Sequence, residues 1–168
     1  MMVHFSLSHA CDIRRMESTD VADVANVHAR SFPRQLNSHD WVSCNFNGYP
    51  RIRIFVAQVD KEIVGYIQWM EKSGFRKDVV LELEQLAVLP EWRNQGIGSR
   101  LISSSLLVVK EELAQRGAKL KHVIVTTRTD NDAQKLYHST LNASAVATIP
   151  DLFSDDEVIM LSRNMMNE

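Results

Sequence analysis

The stretch that most limits what this chain can become runs from Asp78 to Gln115, where an alternating run, a glycine-bearing loop and an amphipathic run follow one another directly. "DVVLELEQLAVL" sets Val79, Leu81 and Leu83 against Val80, Glu82 and Glu84, the period of two expected of a half-buried strand. "PEWRNQGIGSRLI" then carries Arg93, Gly96, Gly98 and Ser99. Ile102, Leu106, Val109 and Leu113 follow at steps of 4, 3 and 4, a buried stripe on a helix over residues 97–115 that Gly117 closes. A loop in this position opens onto a helix N-terminus, whose unpaired amides and partial positive charge bind anions when no side chain shields them. Gly96 and Gly98 remove that shield, Arg93 adds a fork of donors and Ser99 a hydroxyl.

Two nucleotide motifs use such parts, and neither fits. A Walker loop needs Gly-Lys-Ser/Thr, which the chain lacks. A dinucleotide fingerprint needs a third small residue where Leu101 stands, and an acidic residue ending the next strand, where Thr126 and Thr127 stand. From the glycine pair alone, a plain strand-to-helix turn stays open.

The remaining runs set the architecture. "CDIRRM" reads as a short strand, and residues 20–30 as a helix carrying Val21, Val24, Ala25 and His28 on one face, with Ser18 or Thr19 as N-cap and Phe32-Pro33 as its stop. A second helix is expected from Ser38 to Phe46, with Trp41 and Val42 inward, until Gly48-Tyr49-Pro50 breaks it. "RIRIFVAQV" and "EIVGYIQWM", separated by Asp60-Lys61, read as an antiparallel hairpin. "KHVIVTTR" reads as a buried parallel strand, "NDAQKLYHSTL" as a helix capped by Asp130 or Asn131, and "ASAVATI" with "EVIMLSR" as a terminal hairpin around an acidic turn. The fold class expected is α/β (α+β), a single domain with a mixed, mostly antiparallel sheet of about seven strands and about four helices.

Composition excludes several function classes. At 168 residues with no linker or repeat the chain reads as one domain over 1–168, with 1–8 as a loose tail. A net charge of −2 with scattered basic residues argues against nucleic acid as a partner. No apolar run approaches the ~18 residues of a membrane span, and the N-terminus lacks the pattern of a signal peptide. Cys11 and Cys44 lie in no ligand pattern, and His28, His39, His122 and His138 have no metal spacing, so no metal is expected. A cytoplasmic, reduced protein is the expectation.

"LEQLAVLPEWRNQGIGSRLI" resembles the acetyl-CoA motif of the GNAT N-acetyltransferase superfamily, in which a strand ending in an L-x-V-x-P-like run leads into [RQ]-x-x-G-x-[GA] at a helix start. Arg93, Gly96 and Gly98 fill the three defining positions. A second family feature, an Asn opening the later helix and a Tyr six residues on, is matched by Asn131 and Tyr137. The expected element order fits the family fold along nearly the whole chain.

The resemblance implies an acyltransferase that passes the acetyl group of acetyl-CoA, its co-substrate, to a primary amine by direct attack in a ternary complex. By the same resemblance, a non-catalytic acyl-CoA sensor and a transferase of longer acyl groups are the alternatives. The loop Arg93, Asn94, Gln95, Gly96, Ile97, Gly98, Ser99 would hold the pyrophosphate through its amides. Leu86, Ala87 and Val88 would pair with the pantetheine arm in a V-shaped splay between the fourth and fifth strands, caused by a bulge near Glu84–Leu86, and Asn131 would help hold that arm. Tyr137 would protonate the departing thiolate, Glu84 or alternatively Glu82 would accept the proton of the amine, and the Val88 N–H would meet the oxyanion. "YHSTLNASA" departs from the family's Gly-Phe after the tyrosine, with Asn142 as a possible left-handed terminator.

The family sets its acceptor with the first two helices and the last hairpin, here residues 30–50 and 150–157. Trp41, Phe46 and Tyr49 are candidates for lining the acceptor pocket. Asp151, Asp155, Asp156 and Glu157 would form a rim attractive to a cationic amine on a small molecule or peptide. A monomer or a homodimer is expected.

Overall fold

The structure, a computed structural model, describes residues 10–163; the tail expected over 1–8 lies outside the described residues. In chain order the elements are β1 (Cys11–Arg15), α1 (Val21–Ser31), α2 (Ser38–Phe46), β2 (Ile52–Val59), β3 (Glu62–Glu71), β4 (Asp78–Val88), α3 (Ile97–Gln115), β5 (Lys119–Arg128), α4 (Ala133–Leu141), β6 (Ser144–Ile149) and β7 (Glu157–Ser162). The seven strands form one sheet in the order β1-β2-β3-β4-β5-β7-β6. Only the β4–β5 pair is parallel among them, because α3 carries the chain from one end of β4 back to the start of β5.

The local chemistry explains most of the turns. Asp60 and Lys61 both take positive φ (47° and 70°), the conformation a two-residue hairpin needs to match strand twist. Gly117 (φ 72°) ends α3, with its amide bonded to Ala114 O and the Ala118 amide to Leu113 O, both at 2.9 Å. Asn142 (φ 52°) ends α4 in the left-handed conformation. One expected cap is corrected: Ser18 and Thr19 lie inside a 3-10 turn, and Glu17 and Asp20 form a reciprocal capping box ahead of α1. Asp20 also takes a two-pronged bond from Arg14, at 2.7 and 2.9 Å, which ties α1 to β1.

Two cores sandwich the sheet. On one face Leu101, Ile102, Leu106, Val109 and Leu113 of α3 pack on Leu81, Leu83, Val123 and Val125. On the other, Val24 and Val27 of α1 and Val42 of α2 pack on Ile54, Val56, Tyr66 and Ala87. Each fully buried large apolar side chain contributes about 1.5–3 kcal/mol relative to exposure.

A single irregularity in β4 positions the site. Gln85 pairs with Gln68 and Leu83 with Trp69, so Glu84 is an extra residue, a β-bulge. Before it Val79, Leu81 and Leu83 face α3; after it Leu86 and Val88 do, while Ala87 and Leu89 join the core under α1 and α2. The β4–β5 ladder ends at Glu82 opposite Ile124, yet β4 runs on to Val88 and β5 to Arg128. The two parallel strands therefore diverge from the bulge onward, at the place the family resemblance implies.

Candidate active site

The divergence leaves backbone groups without a neighbouring strand. Ala87 pairs with Tyr66 and the Leu89 amide donates to Val64 O at 2.8 Å. Alternation along the strand then turns the amides of Leu86 and Val88 into the gap. Arg93 Nε donates to Val88 O at 2.9 Å, so part of this guanidinium, expected to serve an anion, steadies the end of β4.

At the mouth of the gap the chain turns through Asn94 (φ 59°) and Gly96 (φ 77°) into α3. The first bond inside the helix is Arg100 N to Gly96 O at 3.1 Å, leaving the amides of Ile97, Gly98 and Ser99 without intrahelical acceptors. The two glycines do different work. A Cβ on Gly96 would meet nothing within 4 Å, and its need is the positive φ; a Cβ on Gly98 would stand 3.2 Å from Leu136 Cδ2.

α4 forms the opposite wall. Its N-cap position is Asp132 rather than either expected residue; Asn131, one residue earlier, accepts at Oδ1 from the Ala133 amide at 2.9 Å and donates from Nδ2 to Thr127 Oγ1 at 2.8 Å. Asp130, the other candidate cap, is bonded to Arg128 instead. Tyr137 is buried to 6% exposure, and that burial pushes its phenol up to about 12.

These walls enclose a cleft of about 660 Å³. Of the residues named from sequence, Leu86, Ala87, Val88, Arg93, Asn94, Gly96, Ile97, Gly98, Ser99, Asn131 and Tyr137 line it. Gln95, Glu82 and Glu84 do not; Gln95 reaches back to Glu91 O at 3.5 Å. Glu84 accepts from Gln68 Nε2 at 2.5 Å, and Glu82 is paired with Lys72 at 2.9 Å. Ser31, Phe32 and Trp92 also line the cleft. The sequence marks Phe32 as a helix stop and Trp92 as part of the loop, but neither as a wall, since facing the gap depends on how α1 crosses β4.

The acceptor candidates are dispersed. Phe46 and Tyr49 line a second cavity of about 460 Å³ with Arg15, Met16, Ile52 and Ile54, while Trp41 lines neither and donates to Gln85 Oε1 at 2.9 Å. In the acidic turn Asp155 is already met by Arg34 at 2.9 Å and Arg128 at 3.5 Å, and Asp156 accepts from the Asp151 amide. No helix among the described residues is long and apolar enough to cross a membrane.

The profile of the Acetyltransferase (GNAT) domain matches residues 50–140. An uncharacterized N-acetyltransferase of Archaeoglobus fulgidus is 30% identical over 140 residues, covering 76% of this chain and 90% of that protein. An N-alpha-acetyltransferase of Sulfurisphaera tokodaii is 26% identical over 152 residues, 86% of this chain and 87% of its own. Among solved structures, Arabidopsis thaliana NAA60 in complex with acetyl-CoA superposes with a TM-score of 0.73 at 14% identity, covering 90% of this chain and 97% of that one. The glycine loop, the splayed strands and these likenesses agree, and the chain belongs to the GNAT acetyltransferase family as an acyltransferase.

Proposed function

We propose that the chain is a single-domain, acetyl-CoA-dependent N-acetyltransferase whose acceptor is a primary amine, the α-amine of a peptide or protein in the first instance. The observation that carries this is the parallel pair that parts after Glu82 and Ile124 directly beneath three unpaired helix amides. The name of the Sulfurisphaera relative favours the α-amine over a small-molecule amine.

The cleft fits the co-substrate on its own features. Free amides of Ile97, Gly98 and Ser99 suit a pyrophosphate, and the gap presents the Leu86 and Val88 amides to an extended amide-bearing arm. Acetyl-CoA supplies an acetyl group activated as a thioester, which the amine takes as an amide while CoA departs as a thiol.

The residues of this chain then divide the work. Strand end and loop hold the donor in one orientation, which removes much of the entropic cost of reaction. The Val88 N–H meets negative charge on the reacting carbonyl oxygen. Tyr137, kept protonated by burial, holds a proton at Oη for the sulfur. Glu84 receives the proton of the amine through water, since it lines no part of the cleft. Glu82 is the weaker candidate because Lys72 already engages it.

A panel of unblocked peptides, polyamines and aminosugars, scored for CoA thiol release, tests the reading. Thiol release dependent on a peptide α-amine is expected. Release with amines of small molecules alone contradicts the peptide assignment, and CoA binding without release to any member favours the sensor alternative.

A further inference from the structure

One group of polar side chains, with His28, Tyr66 and Gln85 buried and Gln35 exposed, takes no part in the cleft described so far. His28 on α1, Gln35 in the loop before α2, Ser38 and Trp41 on α2, Tyr66 on β3 and Gln85 on β4 form a continuous hydrogen-bonded chain. Trp41 Nε1 and Tyr66 Oη reach Gln85 Oε1 at 2.9 and 2.7 Å. Gln85 Nε2 lies 3.1 Å from Gln35 Oε1, which lies 2.8 Å from His28 Nε2, and His28 Nδ1 lies 2.9 Å from Ser38 Oγ.

The direction of every bond follows from one atom. An indole N–H only donates, so the Gln85 atom facing Trp41 must be the amide oxygen. The nitrogen at the other end of that amide then donates, which makes the facing atom of Gln35 an oxygen. That oxygen requires a proton on His28 Nε2. With His28 neutral, Nδ1 is an acceptor and Ser38 donates to it. His28 is fully buried, and burial holds its pKa below the ordinary value, in keeping with the neutral ring.

The chain joins two walls of the site. Gln85 lies between the bulge at Glu84 and the Leu86–Val88 strand end that lines the cleft. Gln35 belongs to the loop that begins at Phe32, itself a cleft residue whose ring stands 5.3 Å from that of His28. Farther out, the same loop is tied to the β6–β7 turn by Arg34 and Asp155, both substantially exposed and so weakly coupled. The attachment at Gln85 is the directional one, a hydrogen bond whose strand end is buried although Gln35 itself is exposed.

We propose that Gln85 is a positioning residue for the acceptor: it registers the Phe32–Asn37 loop on β4, so that acceptor binding depends on it and CoA binding does not. The proposal rests on the reading of the cleft as an acetyl-CoA site. Two substitutions test it, Gln85→Leu, which removes the bond to Gln35, and Trp41→Phe, which removes the donor that orients the Gln85 amide. CoA affinity is measured by calorimetry, acceptor kinetics with the best amine of the panel, and the His28 tautomer from its ring nitrogen shifts.

In the wild type a single Nε2–H form is expected, and in Trp41→Phe a mixture of the two tautomers. Gln85→Leu is expected to raise the acceptor KM by about tenfold, with kcat less affected and CoA affinity within about twofold. A wild-type ring protonated on Nδ1, an unchanged single tautomer in Trp41→Phe, or an unchanged acceptor KM in Gln85→Leu overturns the proposal. The tautomer measurements need neither an identified acceptor nor a foldable Gln85→Leu variant. Failure of the wild type to bind CoA overturns the cofactor reading instead.

Discussion

Gly98 on α3 and Leu136 on α4 stand so close that a Cβ on the glycine would lie 3.2 Å from Leu136 Cδ2. The spacing of the two helices that bound the cofactor end of the cleft is thus set by a missing side chain. Gly98→Ala is expected to displace α4 and weaken CoA binding about tenfold, about 1.4 kcal/mol. Adding Leu136→Ala restores the affinity if contact is the cause; calorimetry of the double variant decides. Gly96→Ala acts differently, straining the left-handed turn by about 1–2 kcal/mol, and Leu136→Ala does not rescue it.

Tyr137→Phe removes the proton held at the sulfur and leaves the wall in place. We expect kcat to fall by roughly 10²-fold with CoA affinity unchanged. The pH dependence has a definite sign: the acid form is the active one, and burial moves its loss upward from about 10 toward about 12. No decline assignable to Tyr137 is therefore expected below roughly pH 10. A decline centred near pH 8 that vanishes in Tyr137→Phe contradicts that assignment.

The two carboxylates are separable. Glu84→Gln should lower kcat at neutral pH by about 10²-fold, with partial recovery at higher pH, where more of the amine is already unprotonated. Glu82→Gln breaks the pair with Lys72, which is partly exposed, and should change kcat by less than about threefold. Equal losses from both would locate the proton acceptor elsewhere.

Asp20 offers a test of stability. The Arg14 hydrogen bond, with a smaller contribution from the Glu17 amide, holds its carboxyl below the ordinary value. The unfolded chain then takes up the proton first as pH falls. The contribution of Asp20 is complete above roughly pH 4 and disappears as pH drops through the lower, folded value. Asp20→Asn should cost about 1–3 kcal/mol at neutral pH and less in acid, read from urea unfolding at several pH values.

What the sequence disclosed depended on how local the cause was. The glycine loop, the α3 stripe, the Asp60-Lys61 turn and the Asn142 terminator are written in adjacent residues, and all appear where expected. The bulge at Glu84 was legible through the family resemblance, because strict alternation of β4 hides the extra residue. The Glu17–Asp20 capping box is not legible in the sequence because glutamate is an unusual N-cap. The Gln35–Gln85 bond joins residues 50 apart, and no local pattern marks either one. Sequence groups Phe46 and Tyr49 with Trp41, but the end of α2 and the turn that follows it carry these two to a separate cavity.

The central claim is that the gap between β4 and β5, with the amides at the start of α3, holds a CoA thioester. Calorimetric titration of the wild-type protein with acetyl-CoA tests it most directly. The account predicts saturable binding of one molecule per chain at micromolar concentration, weakened in Gly98→Ala. The absence of binding at millimolar acetyl-CoA, or binding that Gly98→Ala leaves unchanged, would contradict it.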